Sequence, residues 1–118
     1  MNEMELANKF VNCWKNKPNI SNVLKISKNF TGKNKLNYRE FLLICEGHFK
    51  TKAEIELQTD ILLSRKYKLC SWISRICAKR EGNAQIIIDQ YILSIYDIFK
   101  EDKNESNKDI QQHISKRF

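Results

Sequence analysis

Apolar side chains recur every third or fourth position over most of this chain, the period of helices that bury one face. Residues 3 to 15, EMELANKFVNCWK, place Leu6, Phe10, Cys13 and Trp14 at that spacing, with Glu3 and Glu5 in the first turn where the helix dipole favours acids. The pattern predicts a first helix. Pro18 ends it, because its ring removes a donor and biases Lys17 away from the helical region. ISNVLKISKNF predicts a short second helix capped by Asn19 or Ser21, with Val23, Leu24, Ile26 and Phe30 as its apolar stripe.

TGKNKLN reads as loop, and Asn37 stands as N-cap of a third helix in which Phe41, Leu42, Ile44, Cys45 and Phe49 share one side. Gly47 and His48 signal its approaching end. Thr51 and Glu54 have capping-box spacing, so another helix is expected to open there and run over Ile55, Leu57, Ile61 and Leu62. It leads into SRKYKLCSWISRICAKREGN, residues 64 to 83, with Gly82 as a left-handed stop.

AQIIIDQYILSIYDIFK carries ten apolar residues among the fourteen from Ile86 to Phe99, many of them β-branched. Its polar positions Gln90, Ser94, Asp97 and Glu101 return at helical period, which predicts the most buried helix of a bundle. A spanning segment needs about twenty apolar residues without such charges, so no membrane role is expected. The tail from about residue 101 either frays or uses Ile110, Ile114 and Phe118 to form a last short helix. The reading is an all-α, compact bundle of five to seven helices in one domain spanning 1–118. The 86 to 99 helix is central in it, and a hairpin of residues 51 to 80 packs on that helix.

Around a helix, Leu69, Cys70, Trp72, Ile73, Ile76 and Cys77 fall on one broad side, and Lys68, Ser71, Arg75 and Lys79 on the other. The first set is expected to face inward, with the cysteines as small buried hydrophobes. The alternative joins Cys45 and His48 to Cys70 and Cys77 around zinc, but close cysteine pairs near turns, the usual mark of such sites, are absent from the sequence. A nucleophilic cysteine would need a neighbouring base, and the chain has only two histidines. With no glycine-rich phosphate loop and no HExxH-type motif, neither an enzyme nor a cofactor is expected.

From Lys50 to Asn83 the chain resembles one tetratricopeptide-type helical hairpin. Tyr67 and the small Cys70 and Cys77 stand where that motif places an aromatic and small residues, which implies closely paired helices. It departs from the motif at Arg65, at Ser74 and in lacking a closing proline. The same stretch is similar to PerC-type regulators, which share a tyrosine and then a tryptophan on a helical hairpin.

Charge sharpens the partner classes. The chain has 118 residues, a formal charge of +7 and a pI near 9.3, which favours an acidic partner. Sixteen of its 21 basic residues are lysine, and with twelve Asn and fifteen Ile this matches the bias of an AT-rich genome as well as a selected surface. The candidate binding face is Lys66, Lys68, Arg75, Lys79 and Arg80. Four cysteines without framework spacing and an acidic amino-terminal stretch point to a reducing cytoplasm, bacterial or, for a viral or effector protein, that of a host. By elimination the expected function is a non-enzymatic module binding another protein, as an adaptor, chaperone, immunity or anti-host factor. The alternative is a small basic regulator that binds DNA or RNA.

Overall fold

The computed structural model describes residues 1–33 and 35–100. The expected last helix over Ile110, Ile114 and Phe118 therefore lies outside the described residues. Five α-helices follow one another: α1 Glu3–Cys13, α2 Ile20–Leu24, α3 Tyr38–Glu56, α4 Ile61–Ala78 and α5 Ala84–Lys100. Single stretches of 3₁₀-helix extend α1 over Trp14–Asn16 and α2 over Lys25–Phe30. Among the described residues there is no strand, and the molecule is an all-α bundle.

Short polar side chains start most of these helices. The Asn2 side chain accepts from the Glu5 amide at 2.9 Å, and Asn19 accepts from Ser21 at 2.9 Å. Asn37 accepts from Arg39 and Glu40, Asp60 from Leu63 at 3.0 Å, and Asn83 from Ile86 at 3.1 Å. Each satisfies an amide that the helix itself leaves unpaired. Before Pro18, Lys17 takes φ 50°, a left-handed conformation that closes the 3₁₀ turn as its amide bonds the Trp14 carbonyl at 3.4 Å.

The predicted break near Gly47 does not occur. α3 runs through Gly47 and His48 to Glu56, and the Thr51 hydroxyl donates back to the Gly47 carbonyl at 3.1 Å instead of capping a new helix. The chain turns only at residues 57–60. The hairpin is therefore α3 with α4, not residues 51 to 80. A Cβ on Gly47 would meet nothing within 4 Å, so Gly47→Ala should stabilise the protein by about 0.5–1 kcal/mol through reduced freedom of the unfolded chain. A higher urea midpoint at unchanged slope would register the gain, and a lower midpoint would mean that the site is crowded.

α3 and α4 pack antiparallel, since the Ser64 hydroxyl donates to the Ala53 carbonyl at 2.7 Å and the Ser71 hydroxyl to the Glu46 carbonyl at 2.9 Å. These bonds grip α3 at two heights. α1 packs against α3, and α5 packs against α4 and against the α2 region. At the junction Phe10 meets the rings of Trp14 at 5.6 Å, Phe41 at 5.7 Å, Phe49 at 6.5 Å and Tyr91 at 5.4 Å. α5 contributes Ile87, Ile88, Tyr91, Ile92, Ile95 and Phe99 to this core, but exposes Ile86 and Leu93. It forms one wall of the core, with its polar positions and these two residues on the outer side.

Candidate functional site

The inner face of α4 is made of small residues. Ser64, Cys70, Ser74, Cys77 and Ala78 are buried together with Tyr67, and this lets α3 and α5 approach closely. The two deepest hydroxyls are satisfied in place. Ser74 donates to the Cys70 carbonyl at 2.7 Å, and having used its proton it accepts from the Tyr91 hydroxyl at 2.6 Å. Burial pushes the Tyr91 hydroxyl well above its usual range, and it also raises the Cys45 and Cys70 thiols. The half-buried Cys13 is pushed up to about 11. These sulfurs stay protonated at neutral pH, which makes them weak nucleophiles and weak metal ligands. Among the described residues no three His, Cys, Asp or Glu side chains gather where they could hold a metal ion.

With small residues filling the inner face, the large apolar ones turn outward. Trp72 is 62% exposed, Leu69 49%, Ile76 43% and Leu62 65%. This corrects the expected inward placement of Leu69, Trp72 and Ile76. Hydrophobicity alone would turn these residues inward, whereas the packing sorts α4 by size. A signal was available in the small residues recurring at 64, 70, 74 and 77, a stripe that closely packed helices require.

At about 100° per residue, the exposed residues of α4 form one arc. Lys68 and Arg75 lie one turn on from Ser64 and Ser71, along the edge next to α3. Leu62, Leu69 and Ile76 follow one another at intervals of seven along the opposite edge, and Arg65, Trp72 and Lys79 run between the two edges. No Asp or Glu occurs from Ile61 to Arg80. Among the described residues, the salt bridges are Arg39 with Glu81 at 3.9 Å and Asp97 with Lys100 at 3.1 Å, neither of which uses a cation of this arc.

Of the five cations expected on a binding face, the structure brings Lys68, Arg75 and Lys79 onto this arc. Lys66 sits half-buried on the inner edge, where its charge acts on the Cys70 thiol. Arg80 lies past the helix end. Its guanidinium donates to the Gln90 side chain at 2.6 Å, and its carbonyl accepts from the Tyr38 hydroxyl at 2.7 Å. Arg65 and Trp72, which are not among those five, also lie on the arc.

An open cleft of about 640 Å³ lies between residues 30–38 and 82–84. Several of its polar side chains are already engaged. The Glu3 carboxylate accepts from the Asn37 amide at 2.8 Å, which holds its pKa below the usual value, and Tyr38 and Asn83 make the bonds given above. The cleft therefore offers few polar groups to orient a ligand, and the α4 arc is the stronger site. Among the described residues no helix is long and apolar enough to cross a membrane. Comparison of the chain with protein-family models, with curated proteins and with solved structures found no match.

Proposed function

We propose that this chain is a non-enzymatic protein-binding module of the cytoplasm, working as an adaptor, chaperone, immunity or anti-host factor, and that it engages an acidic partner through the outer face of α4. One observation carries the reading: Leu62, Leu69, Trp72 and Ile76 stand exposed in a line on a helix free of carboxylates, with Lys68, Arg75 and Lys79 beside them. An exposed apolar line of this kind marks an interaction surface, and a tryptophan inside a basic rim is a typical binding hot spot.

The test is recovery of partners from the source cells on tagged wild-type protein and on Trp72→Ala, before and after nuclease. A protein that survives nuclease and is lost with Trp72→Ala supports the reading. A recovered complex that collapses under nuclease overturns it.

A second reading, a regulator that binds DNA or RNA, is favoured by one specific feature, the Trp72 ring standing among Lys68, Arg75 and Lys79. Aromatic rings beside cations are how single-stranded bases are stacked and phosphates neutralised. That mode predicts affinity falling log-linearly with salt and lost in Arg75→Glu with Lys79→Glu.

A further inference from the structure

The spacing on α4 is more specific than a sticky patch. Leu62, Leu69 and Ile76 recur every seven residues, and Arg65, Trp72 and Lys79 recur every seven between them, three or four positions from each neighbour. The first row is apolar throughout, and the second keeps one apolar residue, Trp72, between two cations, so the face is an apolar seam with a basic margin that suits a helix laid along it. The inner face of α4 is occupied by α3 and α5, so the seam has no partner among the described helices. We infer that the ligand of this face is a single amphipathic helix with aliphatic side chains at heptad spacing and acidic flanks, laid along α4. The inference rests on the protein-binding reading and names the kind of segment bound.

Charge and shape select this occupant. A second copy of the chain would set Arg65, Lys68, Arg75 and Lys79 against the same four cations, a like-charge arrangement that opposes association. Nucleic acid would use the cations and Trp72 but leave the three aliphatic residues facing phosphate and water. An anionic membrane surface asks for an unbroken apolar sector, whereas here Arg65, Lys68, Arg75 and Lys79 interrupt the apolar residues of the arc. An acidic helix uses every element: its aliphatic residues pack between Leu62, Leu69, Trp72 and Ile76, and its carboxylates meet Arg65, Lys79 and the Lys68, Arg75 edge. The 18 residues from Leu62 to Lys79 span about 27 Å at about 1.5 Å per residue, so the ligand is a helix of about five turns.

The probe is a synthetic three-heptad peptide with Leu at both seam positions and Glu on both flanks, titrated into the full chain. Peptide anisotropy and tryptophan emission are read together. Trp14 is buried, so a change in emission reports on Trp72, and Trp72→Phe is the control. Saturable one-to-one binding with a blue shift is expected. Leu69→Ala with Ile76→Ala, and separately Arg75→Glu with Lys79→Glu, should each weaken it about tenfold or more. All four positions are exposed, so circular dichroism should show these variants folded.

Equal binding of a peptide with Lys for Glu, or of one with Ser for Leu, would overturn the inference, as would unchanged affinity in both double variants. So would tighter capture of Trp72 by a DNA duplex or by phosphatidylserine vesicles, or a blue shift that grows with protein concentration alone. If the peptide fails while a nuclease-resistant protein partner is still lost with Trp72→Ala, the helical ligand falls and the protein-binding reading stands. If both fail, both fall.

Discussion

Ile92→Asp is expected to yield no folded, soluble protein. Ile92 is fully buried on α5, beside the equally buried Ile88, Tyr91 and Ile95. A carboxylate there gives up its hydration and finds no cation among the residues of that core. The cost of an unpaired buried charge is several kcal/mol, to which the lost packing of the isoleucine adds. A domain of this size has about 5–15 kcal/mol in all. Ile95→Asp should behave alike, because Ile95 is buried to the same extent almost one turn further on. Circular dichroism and gel filtration provide the check: a monomeric variant with a normal cooperative melt would show that α5 does not sit where the structure places it.

The second large effect is expected at Phe10. Its ring joins α1 to α3 and α5 by meeting Phe41, Phe49 and Tyr91, and it also meets Trp14, which itself stacks on Phe99 at 5.6 Å. Phe10→Ala removes the shared member of those pairs and leaves a cavity that four large rings cannot readily close. A loss of about 3–5 kcal/mol is expected, read from the urea midpoint at unchanged slope. A loss below about 1 kcal/mol would mean that α1 contributes little to the core. Phe10→Leu should cost clearly less, because it keeps most of the volume.

The fold was legible where polar residues interrupt the apolar pattern. Gln90, Ser94 and Asp97 marked α5 as a helix despite its β-branched residues, and Asn37 marked the start of α3. The long reach of α3 was less legible, because Gly47 and the Thr51–Glu54 spacing resemble a stop and a start. Both are tolerated inside a helix when neighbouring turns are held by packing, as Cys45, Phe49 and Ala53 hold them here.

The candidate face was legible in part, since Lys68, Arg75 and Lys79 follow from helical spacing alone. The outward Trp72 did not, because an apolar side chain turns inward only when there is room. The close approach of α3 to α4, bridged at Ser64 and Ser71, leaves room only for small ones. Size, not polarity, decided the orientation of this helix.

The carboxylate-free run along α4 has a consequence inside the fold. Arg75 and Lys79 stand one turn apart, and like charges at that spacing cost a few tenths of a kcal/mol, without the compensating acids a solitary surface helix normally carries. This 18-residue helix is therefore under electrostatic tension, kept wound by the neighbours that clasp its inner side. Any occupant that brings negative charge to the outer side relieves the tension, and by mass action it tightens the whole domain. Such an occupant would steady the fold as a unit, the rings of Phe10 and Tyr91 included, without touching either.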